Sequence, residues 1–90
     1  MKIGISVIMP VYNGEEFIQR SLPPLLDMQA RGEILEVIVV DDGSTDDTRR
    51  IASQLGARVE SSGGRVGPGG ARNQAALMAR GDVLWFVDAD

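Results

Sequence analysis

Two pairs of aspartates, each directly after a run of apolar residues, are the side chains of this sequence best suited to chemistry. Asp41 and Asp42 follow the run EVIVV, and Asp88 and Asp90 follow the run VLWFV. Because residues two apart in an extended chain point to the same side, Asp88 and Asp90 can act on one ligand. Hard divalent cations bind one or two carboxylates together with substrate phosphates. The spacing therefore predicts a metal site at Asp88 and Asp90.

The adjacent carboxylates of Asp41 and Asp42 repel each other at the point where an apolar run ends. We expect a ligand, or donors within the protein, to offset that cost. The residues that follow also have a purely structural interpretation. Ser44 would cap the next helix, and Asp46 and Asp47 would favour its dipole.

The composition excludes several kinds of chemistry. The 90 residues include no cysteine and no histidine, so a disulfide framework, a thiolate nucleophile, a zinc ribbon and a histidine base are all excluded. A bound metal must take oxygen ligands, which leaves Mg²⁺, Mn²⁺ or Ca²⁺. The net charge of −4 disfavours a nucleic-acid-binding surface. With no apolar run near membrane-spanning length, we expect a soluble, cytoplasmic protein.

A glycine-rich segment, SSGGRVGPGG at 61–70, precedes the third helix candidate and contains Arg65. Free backbone N–H groups at the start of a helix can bind an anion, and Arg65 and Arg72 would add positive charge. The alternative is a flexible linker. The segment matches neither the dinucleotide-binding fingerprint nor the Walker A motif.

The segment PVYNGEE at 10–16 contains the chain's single tyrosine, Tyr12. Its ring could stack on a base, although an ordinary packing role is the alternative. Asn13 and Glu16 have the spacing of a helix capping box, which is a structural alternative for both residues.

The elements that must position these residues alternate along the chain. Nearly continuous apolar runs predict buried parallel strands at 3–9, 36–40 and 83–87, with a weaker strand at 57–60. Apolar residues at helical spacing predict one helix from near Gly14, broken or kinked at Pro23 and Pro24, and further helices at 45–55 and 69–79.

This β-α-β-α-β-α-β order predicts an open, mostly parallel, Rossmann-like α/β sheet with flanking helices. Functional groups in such sheets gather outside the carboxyl ends of the strands. All the polar segments above follow a predicted strand or precede a helix at that edge. The sequence therefore predicts one functional edge.

Four segments together resemble family 2 of the glycosyltransferases, in order and with its usual spacings: ISVIMPVYNGEE, VIVVDDGSTD, GGARNQA and GDVLWFVDAD. The resemblance implies the GT-A fold and a nucleotide-diphosphate sugar donor, most often a UDP-sugar, with Mg²⁺ or Mn²⁺ bridging its diphosphate. It also implies inverting transfer by single displacement, in which an acceptor hydroxyl attacks the anomeric carbon.

The resemblance implies donor-binding roles for eight residues: Pro10, Tyr12, Asn13, Glu15, Asp41, Asp42, Arg72 and Asp88. Tyr12 would lie against the base, and Asp42 would form a hydrogen bond to it. Asp88 and Asp90 match the family's D-x-D motif and would approach the ribose and the metal.

The family's general base lies downstream of a position equivalent to Asp90. We therefore expect residues 1–90 to be the nucleotide-sugar-binding amino-terminal part of a transferase domain, not competent for transfer alone. The apolar strand at 83–87 would then have an unpaired edge, which predicts self-association. The acceptor is not identified by the sequence.

Three other classes compete with this interpretation. A non-catalytic nucleotide-binding or interaction module derived from a transferase is the strongest alternative. A receiver-type phosphoacceptor domain needs its acidic pair after the first strand and a lysine near the last strand, whereas here the only lysine is Lys2. A sugar nucleotidyltransferase carries a basic glycine-rich loop after its first strand, where this chain has VYNG.

Overall fold

The computed structural model describes residues 3–88 of the chain, apart from the side chain of Pro68. The strands and helices alternate in the predicted order. The strands are β1 (Ile5–Val11), β2 (Glu36–Asp41), β3 (Arg58–Ser61) and β4 (Val83–Phe86). The helices are α1 (Glu15–Ala30), α2 (Thr48–Leu55) and α3 (Gly67–Met78). The predicted α/β class is confirmed.

The four strands form one parallel sheet in the order β3-β2-β1-β4. The register pairs Val11 with Asp41 and Asp41 with Ser61, so β1, β2 and β3 end level with one another. The residues that follow these three strands therefore start side by side at the carboxyl edge.

Alternate residues of β1 and β2 pack on opposite faces of the sheet. Val7 and Met9 belong to the core beneath α1 and α2, whereas Ile8 belongs to the core beneath α3. The side chains that α3 presents to the sheet are small, because they are those of Ala71 and Ala75, both fully buried. Burial on both faces explains why these strands are apolar almost throughout.

The sequence predicted a break or a kink in α1 at its two prolines, and the break is wrong. A single helix runs through Pro23 and Pro24. The two missing N–H groups would have donated to the carbonyls of residues 19 and 20, which lie on an exposed part of the helix where water can bind them. The buried Leu22 and Leu25 hold the segment against the sheet on the other side.

The amino end of β2 contains a buried carboxylate, Glu36, which lies at the opposite edge of the sheet from the polar segments. It accepts hydrogen bonds from Ser6 Oγ (2.7 Å) and from the backbone N–H of Arg80 (2.7 Å). The guanidinium groups of Arg58 and Arg80 lie 3.2 and 3.4 Å away. Burial alone would raise the pKa of Glu36, but these donors outweigh it and hold the pKa below its ordinary value.

The turn before β4 closes over this carboxylate. Gly81 N–H donates to Ser6 Oγ at 2.8 Å, and a Cβ atom at Gly81 would lie 2.7 Å from the backbone nitrogen of Ser6. Only glycine therefore fits here without a shift of the backbone. The Glu36 cluster (Ser6, Glu36, Arg58, Arg80 and Gly81) fixes where β4 begins.

Strand β4 forms one edge of the sheet, and three of its apolar side chains, Val83, Trp85 and Phe86, are nearly half exposed. Among residues 3–88, no helix has the length and apolar character needed to cross a membrane. The cytoplasmic location stays a prediction.

Candidate donor-binding site

A cavity of about 580 Å³ opens at the carboxyl edge of the sheet, between the loops that follow β1 and β2 and the glycine-rich loop before α3. Six of the nine sequence-predicted site residues line it: Pro10, Tyr12, Asn13, Glu15, Asp42 and Asp88. Glu16, Phe17, Arg20, Asp46 and Arg65 contribute further lining. The predicted functional edge is therefore where the cavity lies.

Asn13 joins the loop after β1 to the loop after β2. Its side-chain oxygen accepts a hydrogen bond from Thr45 N–H (2.8 Å), and its own N–H donates to Ser44 Oγ (2.9 Å). Asn13 has a φ of +49°, a left-handed conformation that asparagine tolerates better than most residues. The capping-box alternative for Asn13 and Glu16 is therefore wrong, because the oxygen that would cap α1 is bonded across the loops.

Asp46 makes a second connection between the same two loops. Its carboxylate accepts hydrogen bonds from the backbone of Glu15 (3.3 Å) and of Thr48 (3.0 Å). Burial would raise the pKa of Asp46, but the hydroxyl and N–H of Thr48 and the N–H of Glu15 hold it below the ordinary value. Helix α2 begins at Thr48, so the predicted start at residue 45 and the predicted capping role of Ser44 are wrong.

Asp42 holds the glycine-rich loop and is almost completely buried. Its Oδ1 accepts hydrogen bonds from Ser62 Oγ and from Val66 N–H, both at 2.8 Å, and its Oδ2 accepts one from Gly67 N–H at 2.9 Å. Burial would raise the pKa of Asp42, but these three donors and the nearby Arg65 lower it below the ordinary value. The sequence predicted that either a ligand or donors within the protein would offset the charge of Asp42. The structure shows donors within the protein.

This arrangement changes the interpretation of the glycine-rich loop. The N–H groups of Val66 and Gly67, at the start of α3, were candidates to bind an external anion. In the structure they bind the carboxylate of Asp42 instead. These two N–H groups are therefore not free for an external anion, and the loop is not a loose linker because a buried side chain anchors it.

The sequence suggested Arg65 only as positive charge beside an anion, and not among the donor-binding residues. Its guanidinium carbon lies 3.5 Å from the centroid of the Tyr12 ring, and its Nε lies 3.9 Å from Asp42 Oδ2. Arg65 is the only charged residue within the glycine-rich segment, and this was the one signal that could have identified it.

Two predicted donor-binding residues do not line the cavity. Asp41 is buried, and its carboxylate accepts a hydrogen bond from Ser44 N–H at 3.3 Å and lies 3.8 Å from Arg49 Nε. Arg72, on α3, lies 3.8 Å from Asp88. Arg72 is therefore next to the predicted metal-binding segment, whereas Asp41 supports the turn after β2. Their donor-binding roles stay predictions.

Of the two predicted metal ligands, Asp88 lines the cavity and is mostly exposed, whereas Asp90 lies outside the described residues. Within residues 3–88, no group of three or more acidic side chains is arranged to hold a metal ion. The one described carboxylate fits a cation that takes most of its ligands from substrate phosphates.

Known proteins resemble this chain in sequence. It is 37% identical over 92 residues to poly(ribitol-phosphate) beta-glucosyltransferase from Bacillus spizizenii, covering 96% of this chain and 14% of that protein. It is 40% identical over 96 residues to glucosyl-3-phosphoglycerate synthase from Mycolicibacterium paratuberculosis, covering 96% of this chain and 28% of that protein.

A solved structure resembles it in fold. Glucosyl-3-phosphoglycerate synthase from Mycobacterium tuberculosis, in complex with Mn²⁺, UDP-glucose and phosphoglyceric acid, matches with a TM-score of 0.90 at 35% identity. The match covers 98% of this chain and 33% of that one, which confirms the expected GT-A type of fold. The chain thus spans a third or less of each relative named here.

The family assignment rests on a match that covers nearly the whole chain. The model of glycosyl transferase family 2 matches residues 6–90, a range that includes every sequence-predicted site residue. The chain belongs to glycosyl transferase family 2.

Proposed function

We propose that residues 1–90 form the donor-binding part of a glycosyltransferase that takes a UDP-sugar with Mg²⁺ or Mn²⁺ and transfers the sugar with inversion. The observation that carries this proposal is the cavity at the carboxyl edge, where the Tyr12 ring and the Asp42 carboxylate line the same space. An aromatic face binds a base by stacking, and a carboxylate accepts a hydrogen bond from a base N–H.

The charge of the cavity supports a requirement for a divalent cation. Among the described residues, five carboxylates line it, from Glu15, Glu16, Asp42, Asp46 and Asp88, against two guanidinium groups. A diphosphate without a metal would be repelled by this excess of negative charge. A divalent cation bound with the diphosphate would offset that repulsion.

Asp88 and Asp90 would hold this cation, and Arg72 beside Asp88 would lie near the diphosphate. When bound, the metal would stabilise negative charge on the departing nucleotide diphosphate. The M. tuberculosis synthase has been solved with Mn²⁺ and UDP-glucose, and also with Mg²⁺ and UDP, which supports either cation here.

Calorimetric titration of the chain with UDP, with and without Mg²⁺ or Mn²⁺, tests the proposal. We expect binding that the metal strengthens at least severalfold. CDP is the matched control, because N3 of cytosine lacks the N–H that uracil can donate to Asp42, and it should bind more weakly. A folded chain that binds neither nucleotide, with or without metal, would contradict the donor site and favour the interaction-module alternative.

We propose further that β4 pairs with a second copy of the chain along its outer edge. The exposed Val83, Trp85 and Phe86 support this pairing, because an apolar edge strand is a template for another strand. Light scattering over a range of concentrations should detect a dimer that Trp85→Lys abolishes. Leu77→Lys, which changes an exposed apolar residue of α3, is the control. A monomer at every concentration would contradict this pairing.

A further inference from the structure

Arg65 occupies the position where the proposed function requires a base. Its guanidinium group lies against the face of the Tyr12 ring at 3.5 Å, which is van der Waals contact distance. No planar group fits between the two side chains at this distance. A base can therefore stack on this face of Tyr12 only if Arg65 moves.

Arg65 also resembles a base in the contacts that it makes. A guanidinium is planar, carries N–H donors and stacks on aromatic faces. In this chain it lies both on Tyr12 and beside Asp42 Oδ2. A pyrimidine that stacked on Tyr12 and donated its ring N–H to Asp42 would replace both contacts of Arg65.

Asp42 has acceptor capacity left for such a base. The loop donates two hydrogen bonds to Oδ1 and one to Oδ2, whereas a carboxylate has about four acceptor positions. The remaining position is on Oδ2, the oxygen nearest to Arg65. Removal of Arg65 from this oxygen would free that position without detaching the loop.

The side chain of Arg65 can move while the backbone of its loop stays in place. Gly63 N–H donates to Ser61 Oγ at 3.0 Å, and the backbone of Gly64 lies close to Gly43, where an added Cβ atom would be 3.3 Å from it. The hydrogen bonds from Val66 and Gly67 to Asp42 hold the other side of Arg65. The Arg65 side chain is about half exposed, and the contacts described for it, the stacking on Tyr12 and an ion pair at 3.9 Å, are both weak at an exposed site.

We infer that Arg65 is an internal substitute for the nucleobase: it covers Tyr12 and Asp42 in the nucleotide-free chain, and the base displaces it on binding. This inference rests on the proposed nucleotide-binding function and adds a device that regulates access to that site. It makes Arg65 a competitor of the base.

A variant that lacks this competitor should bind the base more tightly. Uridine is the probe, because it has no phosphate and so separates the base from charge effects. We expect Arg65→Ala to bind uridine about twofold to fivefold more tightly than the unchanged chain, by calorimetry or NMR titration. Arg31→Ala, which removes a cation remote from the cavity, should leave uridine binding unchanged.

NMR of the Arg65 side chain provides a second readout. In the free chain its resonances should be shifted upfield by the Tyr12 ring, and Tyr12→Ala or saturation with UDP should abolish that shift. If UDP binds while the upfield shift persists, or if Arg65→Ala leaves uridine binding unchanged or weaker, the inference is wrong and the donor site stands. If neither UDP nor uridine binds the folded chain or its Arg65→Ala variant, both proposals are wrong.

Discussion

A buried carboxylate lies at each end of strand β2, Glu36 as its first residue and Asp42 directly after its last, and each anchors a segment next to α3. Of these two carboxylates, only Asp42 lines a cavity formed by the described residues. Asp42 binds the N–H groups of Val66 and Gly67 at the start of α3, and Glu36 binds the N–H of Arg80 just after its end. Both pKa values are lowered by similar donors. The hydrogen bonding and the pKa shift of the carboxylate are therefore alike at the cavity and at the Glu36 cluster, and do not distinguish the two.

The difference lies in what covers each carboxylate. At the Glu36 end, Gly81 packs directly against the backbone of β1 and leaves no room for a single added carbon. At the Asp42 end, glycines with open space around them precede the anchored residues, and an aromatic side chain stands beside the cavity. A buried carboxylate borders a cavity here only where the segment that it anchors leaves open space beside it.

The largest effect should come from Glu36→Gln. The amide NH₂ group of glutamine would face N–H and O–H groups that now donate to the carboxylate. We therefore expect the free energy of unfolding to fall by about 2–4 kcal/mol. Chemical denaturation measures this loss. Nucleotide affinity of the folded fraction should not change, and a large loss of affinity would mean that the two ends of β2 are functionally coupled.

The next largest effect should come from a glycine-to-alanine substitution, compared at Gly81, shortly after α3, and at Gly69, in its first turn. Gly81→Ala should lower the free energy of unfolding by about 1–3 kcal/mol, because its Cβ would overlap Ser6. Gly69→Ala, in the first turn of α3, should be neutral or slightly stabilising, since nothing lies within 4 Å of the added atom. Equal effects in thermal unfolding would disprove the proposed difference in packing.

Asp42→Asn should affect both stability and binding. The new amide group cannot accept hydrogen bonds from all three loop donors, so we expect a loss of about 1–2 kcal/mol in the free energy of unfolding. Because the loop also borders the cavity, UDP affinity should fall, unlike in Glu36→Gln. Denaturation and calorimetry on the two variants together test this contrast, which would fail if Asp42→Asn bound UDP normally.

Tyr12→Ala should change binding and almost nothing else. Tyr12 is 46% exposed, so stability should change by less than about 0.5 kcal/mol. UDP binding should weaken by about 1 kcal/mol, at the low end for base stacking, because the free chain also loses the Arg65 contact. Calorimetry with circular dichroism separates the two effects, and an unfolded variant would place Tyr12 in the scaffold instead.

Lowering the pH from about 7 to about 5 should have the smallest effect on the free energy of unfolding. The pKa values of Glu36 and Asp42 are lowered in the folded chain, so their stabilisation is present above the unfolded-state values near pH 4 and is lost as pH falls through the folded-state values. Stability should therefore be flat from about pH 5 to 7 and fall below about pH 4. In Glu36→Gln and in Asp42→Asn, the free energy of unfolding should fall less steeply at acid pH than in the unchanged chain. If it falls as steeply, other groups cause the loss of stability at low pH.

The sequence was sufficient to predict the alternating elements and the edge where the site lies, because both depend on local patterns. Continuous apolar runs such as 36–40 predicted buried strands, and each strand end marked a polar loop. The register of the sheet then brought Tyr12, Asp42 and the glycine-rich loop together without further information.

The features that the sequence did not predict depend on contacts between residues that are far apart in the chain. Asn13 bonds to residues 31 and 32 positions away, so its local capping spacing was misleading. Glu36 looked like an ordinary strand residue because its donor at Arg80 is 44 positions away. The contact of Arg65 with Tyr12 was not predicted, because only the folded loop places the two side chains together.

The position of β1 in the middle of the sheet sets an order of events during synthesis. Its first partner, β2, begins 30 residues after Ser6, whereas Gly4 finds Asp82 only 78 residues later. The loops that border the cavity after β1 and β2 can therefore assemble while β4 is still inside the ribosome. Trp85, the only tryptophan among these 90 residues, lies on β4, so its fluorescence would time the docking of β4 and not the formation of the cavity.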